Sequence, residues 1–75
     1  MERSKRNFVV CVDNDGYEVS LETRKIYVNV PDPDSEKLGL LRVIDESGED
    51  YLFPQTNFVS IELPSPVQKA VLLAA

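Results

Sequence analysis

Residues 39–62, GLLRVIDESGEDYLFPQTNFVSIE, decide how this chain reads. Leu40 to Asp45 and Asp50 to Phe53 have the composition of two short strands, and Glu46-Ser47-Gly48-Glu49 supplies the turn between them. A two-residue loop on Ser47-Gly48 sets Val43 opposite Leu52 and Ile44 opposite Tyr51. A three-residue loop with Gly48 left-handed shifts the pairing by one, and the sequence leaves both registers open. Pro54 lacks a backbone donor and stops the second strand. Gln55-Thr56-Asn57 suits a single 3₁₀ turn, and Phe58 to Leu63 reads as another strand with Val59, Ile61 and Leu63 inward. This is the grammar of a small all-β barrel. The stretch contains no histidine, no cysteine and no glycine-rich phosphate loop, so it points to an architecture and not to an enzyme site.

The strands before it follow the same rules. Phe8 to Val12 is β-branched and aromatic, and Asp13-Asn14-Asp15-Gly16 forms a turn after it. Tyr17 to Leu21 alternates and predicts a half-buried extended segment. Lys25 to Val30 predicts the second strand, with Ile26, Val28 and Val30 inward and Tyr27 and Asn29 on the other face. Pro31 and Pro33 force the chain out of the sheet. Asp34 or Ser35 is the expected cap of one helical turn through Leu38, stopped by Gly39.

At the other end, Ser65 reads as an N-cap, with Pro66 at the first helical position and Gln68 completing a capping box. The helix runs from there to about Ala74. It is too short to be stable alone in water and has to pack on something. Val67, Ala70, Val71 and Ala74 form one stripe, while Leu72 and Leu73 lie outside it. A helix apolar on more than one face is a candidate contact surface.

Seventy-five residues make one domain with a thin core, burying roughly 60% of the surface its unfolded chain exposes. With 43% hydrophobic and 28% charged residues the chain is globular in composition, not disordered. Small domains lean on disulfides, metals or partners. A single cysteine, Cys11, excludes an intramolecular disulfide, and the lack of histidine removes the usual zinc ligand sets. Of those supports, a partner is the one expected.

No apolar run approaches the roughly 20 residues that span a bilayer. The apolar run after the basic N-terminus is too short for a secretory signal, and the lone thiol suits a reducing compartment, so the expected location is the cytoplasm, away from membranes. The net charge is -5, unevenly spread. Arg3, Lys5 and Arg6 give residues 1–6 a basic character, read as a solvated arm. The rest carries five basic residues against twelve acidic ones. Such a body repels phosphate backbones, which argues against nucleic acid as a ligand.

Five short strands, a 3₁₀ turn before the last and one glycine hairpin fit an SH3-like barrel over residues 7–64, followed by a helix over 65–75. On RVIDESGEDYL (residues 42–52) and NFVSIELP (residues 57–64), the chain resembles short, uncharacterised bacterial proteins for which an SH3-like barrel is the expected fold. The resemblance covers about residues 7–70. It implies a fold and no established activity, so no functional residue is carried over.

Four features bear on chemistry. With Gly16 at the sixth position of a calcium loop, Asp13, Asp15 and Glu22 fall at positions three, five and twelve. Cys11 would then be the first ligand, and the flanks are strands, so a polar turn between strands is the preferred reading. The acids Asp45, Glu46, Glu49 and Asp50 read as a solvated hairpin tip, because catalysis would need one of them desolvated. Among the aromatic residues, Tyr27 and Tyr51 are the rings expected to stay exposed. Cys11 has no histidine to activate it and reads as a core thiol.

The expected function is therefore a non-catalytic protein-interaction module, or a subunit of a larger assembly, without cofactor or metal. It would contact a protein partner or a second copy through Tyr27, Tyr51, Val67, Val71, Leu72 and Leu73. The alternative is a nucleic-acid- or ribosome-associated small barrel.

Overall fold

A computed structural model describes residues 7–74. The basic arm expected over residues 1–6 lies outside the described residues, as does Ala75. Five antiparallel strands, β1 (Asn7–Cys11), β2 (Ile26–Val30), β3 (Leu40–Ile44), β4 (Asp50–Pro54) and β5 (Phe58–Ile61), form one sheet of order β4-β3-β2-β1-β5. Among the described residues the ladder ends at β4 and β5, so the sheet is open there and the expected barrel does not close by hydrogen bonds. Two helices, α1 (Pro33–Lys37) and α2 (Ser65–Ala74), and a 3₁₀ turn at Gln55–Asn57 complete the elements of the described residues.

The hairpin adopts the shifted register, with Val43 opposite Tyr51 and Ile44 opposite Asp50. Asp45 and Glu49 close a three-residue loop in which Gly48 has φ +85°, a conformation costly for residues with a Cβ. Asp45 accepts from the Ser47 N–H (2.8 Å) and hydroxyl (2.5 Å) and is 7% exposed. Its carboxylate thus organises the turn and is not the solvated charge the sequence suggested.

Residues 17–21 are not extended. Ser20 and Leu21 N–H both donate to the Tyr17 carbonyl, making a helical turn. The alternation is lost with it: Val19 is 95% exposed and Leu21 is fully buried. The reason is topological. β1 is already paired with β2 on one edge and β5 on the other, so the segment cannot fold back on β1 as its hairpin partner. Instead, loop 12–25 folds back over the sheet, held by the Asn14 amide on the Leu21 carbonyl (2.9 Å) and by the Glu46 N–H on the Ser20 carbonyl (3.0 Å).

The loop re-enters β2 through a bulge. Cys11 N–H donates to the Lys25 carbonyl and the Cys11 carbonyl accepts from Arg24 N–H, with Arg24 at φ +68°. A left-handed conformation costs an L-residue about 1–2 kcal/mol, while glycine loses more freedom on folding. Arg24→Gly is therefore expected to stabilise the fold by about 0.5 kcal/mol in urea unfolding. A clear destabilisation would show that contacts of the Arg24 side chain outweigh the strain.

α1 begins earlier than expected. Asp32, not Asp34 or Ser35, caps it by accepting from Ser35 N–H and hydroxyl, because Pro33 fits the first helical position. Arg42 Nε donates to Asp32 at 2.9 Å and fastens this turn to β3. These contacts hold the Asp32 carboxyl below its ordinary value, Ser35 first and Arg42 second.

The sheet is apolar on both faces. On one, Val9, Cys11, Leu21, Tyr27, Val43, Phe53 and Phe58 form the core, with Leu41 against it. Phe53 of β4 meets Phe58 of β5 edge-to-face at 6.1 Å, so the two sheet edges share one core. The other face carries Phe8 and Val28, both buried, with Val10, Ile26, Val30, Ile44 and Ile61 half-buried. Two strand expectations are corrected here. In β5, Phe58 faces the core, while Val59 lies on the second face and is 54% exposed. In β2, the Ile26-Val28-Val30 row faces the second layer and Tyr27 enters the core at 5% exposure.

α2 supplies that second layer and contacts β2, yet none of its residues is buried. Its start departs from the expected capping box: the Pro64 carbonyl accepts from Val67 and Gln68 N–H, and the Gln68 side chain donates to the Leu63 carbonyl (2.7 Å).

Candidate functional site

Because α2 only lightly covers the second face, a groove of about 460 Å³ remains between the helix and strands β2 and β3. Ile26, Val28 and Ile44 form its floor, and Val71 and Ala74 line it from α2. Arg24, Lys25 and Glu46 stand at its rim. A second groove lies between α2 and the β1–β5 side, lined by Phe8, Ile61, Leu63 and Leu72. Apolar floors with a few polar groups at the rim are the usual makeup of recognition sites.

Hydrogen bonds and an ion pair tie the rim of the first groove together. Tyr27 comes through from the core side, where its hydroxyl accepts from Glu22 N–H (2.7 Å) and donates to Glu46 Oε2 (2.5 Å). Lys25 Nζ reaches the same oxygen at 2.5 Å and lies 5.6 Å from the Tyr27 ring centre. Burial, and then the hydrogen bond to Glu46, push the Tyr27 phenol well above its ordinary value. Lys25 first and Tyr27 second hold the Glu46 carboxyl below its ordinary value of 4.5. This cluster joins loop 12–25 to the hairpin at one end of the groove. Neither the Glu46–Tyr27 pairing nor the groove was visible in sequence, since Tyr27 and Glu46 are brought together only by the β2–β3 ladder.

The residues expected to make contact do not form one surface. Tyr27 is buried, and the expectation of an exposed ring is corrected: its hydroxyl, satisfied by Glu22 and Glu46, lets the ring enter the core. Tyr51 is 50% exposed, as expected, but it sits on β4 and donates to Glu49 (3.0 Å), apart from α2. On α2, Val71 faces the first groove and Leu72 the second, whereas Leu73 points outward at 87% exposure. Val67 is 41% exposed.

Asp13 accepts from Asp15 N–H in a side-chain-bonded turn. Among the described residues, no three donors of the Asp, Glu, Cys and His types assemble into a possible metal site. Cys11 is fully buried and its thiol donates to the Asp13 carbonyl at 3.5 Å. Burial pushes this thiol up from its ordinary value, opposite to what a nucleophile needs. Among the described residues, no helix is long and apolar enough to cross a membrane.

No family model, curated protein or solved structure matches this chain.

Proposed function

We propose that this protein is a small non-catalytic interaction module of SH3-like type, which docks a protein partner in the groove between α2 and strands β2 and β3. The strand order β4-β3-β2-β1-β5, with a 3₁₀ turn leading into β5, supports the SH3-like assignment. The observation that carries the function is the groove itself: an apolar floor left uncovered by a helix with no buried residue. The floor of Ile26, Val28 and Ile44 suits a partner that inserts an aliphatic or aromatic side chain.

The test separates the groove from the outer face of α2. Ala74→Arg puts a long side chain over the groove without touching the core, and Leu73→Arg changes only the outward face. Crosslinked capture of the partner is expected to be lost in Ala74→Arg and kept in Leu73→Arg, with both variants as stable as the parent to within about 0.5 kcal/mol. The reverse pattern refutes the groove.

A further inference from the structure

Among the described residues nothing pairs with the outer edge of β5, and this open edge has a property that β4 lacks. Native sheets blunt their edges with charges, prolines or bulges, because unpaired N–H and C=O groups recruit other strands. β4 starts at Asp50, which pairs with Arg42, and ends at Pro54. β5, Phe58-Val59-Ser60-Ile61, contains neither a charge nor a proline.

The direction of its backbone groups follows from the ladder. Val12 N–H donates to the Asn57 carbonyl at 2.8 Å, and alternation along an antiparallel pair then makes Val10–Val59 and Phe8–Ile61 the bonded pairs. The Ser60 N–H and C=O, and the Phe58 C=O, therefore point away from β1 into the open edge. The Phe58 N–H, which points the same way, is occupied by the Gln55 carbonyl.

We propose that a second copy of this chain adds to this edge, β5 against β5 in antiparallel fashion about a twofold axis at Ser60. Only this register meets all the constraints. The two Ser60 residues exchange both hydrogen bonds, and each Glu62 N–H reaches the Phe58 carbonyl of the other copy. Val59 packs against Ile61 of the second copy on the face beside α2, covering the exposed Val59. A twofold axis at Val59 would set Ser60 against the already occupied Phe58 N–H. One at Ile61 would oppose Phe58 to Pro64, which has no N–H, and draw the two Glu62 carboxylates together. With the axis at Ser60 those carboxylates stay about 14 Å apart at 3.4 Å per residue, beyond a screening length of about 8 Å. This association is independent of the groove.

Sedimentation velocity on the full chain, from micromolar to millimolar, is expected to show a concentration-dependent dimer. Ser60→Pro removes only an outward N–H, and Val59→Lys adds the missing edge charge; each is expected to leave a monomer at the highest concentration, while Ser60→Ala stays dimeric. Paired Ser60 Cα atoms would lie about 5.5 Å apart, within disulfide reach. Ser60→Cys is therefore expected to crosslink on mild oxidation and Val59→Cys is not, with buried Cys11 inert in both. A monomer at every concentration, a dimer that survives both Ser60→Pro and Val59→Lys, or crosslinking through Val59→Cys instead would each overturn the proposal.

Discussion

Leu21→Ala is expected to cost about 3 kcal/mol, the largest effect of any single truncation in loop 12–25. Leu21 is fully buried although it lies outside every strand. It descends from the loop into the cluster of Val9, Cys11, Tyr27, Val43, Phe53 and Phe58, so its removal leaves a cavity and loosens the loop's hold on the sheet. A domain of this size has roughly 4–11 kcal/mol of stability in all, so one such cavity removes a large share of it. Val19→Ala, at a position 95% exposed, is the matched control and should change stability by less than about 0.5 kcal/mol. Urea unfolding of the two variants checks this. A loss below about 1 kcal/mol for Leu21→Ala would mean that the loop does not plug the core.

Tyr27→Phe is expected to cost about 2 kcal/mol, because the ring stays but the hydroxyl between Glu22 N–H and the Glu46 carboxylate goes. The loss also has a pH signature. Glu46 titrates below 4.5 in the folded chain, so the stability it contributes is complete above the unfolded value and fades as pH falls through the lower folded one. Without the Tyr27 hydroxyl, the Glu46 carboxyl moves back towards its ordinary value and less stability is left to lose in acid. The gap between parent and variant is therefore expected to be widest near neutrality and to narrow below about pH 4. A gap that stays constant down to pH 3 would remove Glu46 from the account.

These two residues show where reading along the chain reaches its limit. Tyr17, Val19 and Leu21 alternate as a strand does, but a strand needs a free edge beside it, and β1 has none. The same blindness affected Tyr27. Its alternation with Ile26, Val28 and Val30 was correct, and the row of aliphatic residues does face a packed layer. That layer is α2, and the ring side faces the larger core, because this sheet is covered on both sides. Alternation separates two faces without saying which is wet. For the candidate site, the apolar character of Val67, Val71, Leu72 and Leu73 was legible at helical spacing. Their division between two grooves and solvent was not, since it depends on how α2 crosses the strands.

Local chemistry was enough for the elements whose cause lies within a few residues. Pro54 and Gln55-Thr56-Asn57 give the 3₁₀ turn, Ser47-Gly48 the hairpin, Pro31 and Pro33 the exit from the sheet, and Ser65-Pro66 the start of the last helix to within a residue. Each rests on a fixed φ, a missing donor or a tolerated positive φ, which act wherever the residue occurs. Tertiary structure alone decided the hairpin register, the inward turn of Leu21, the burial of Tyr27 and Asp45, and the unprotected edge at β5. Those outcomes depend on which groups distant in sequence compete for the same hydrogen bonds and the same core volume, and only the folded chain brings them together.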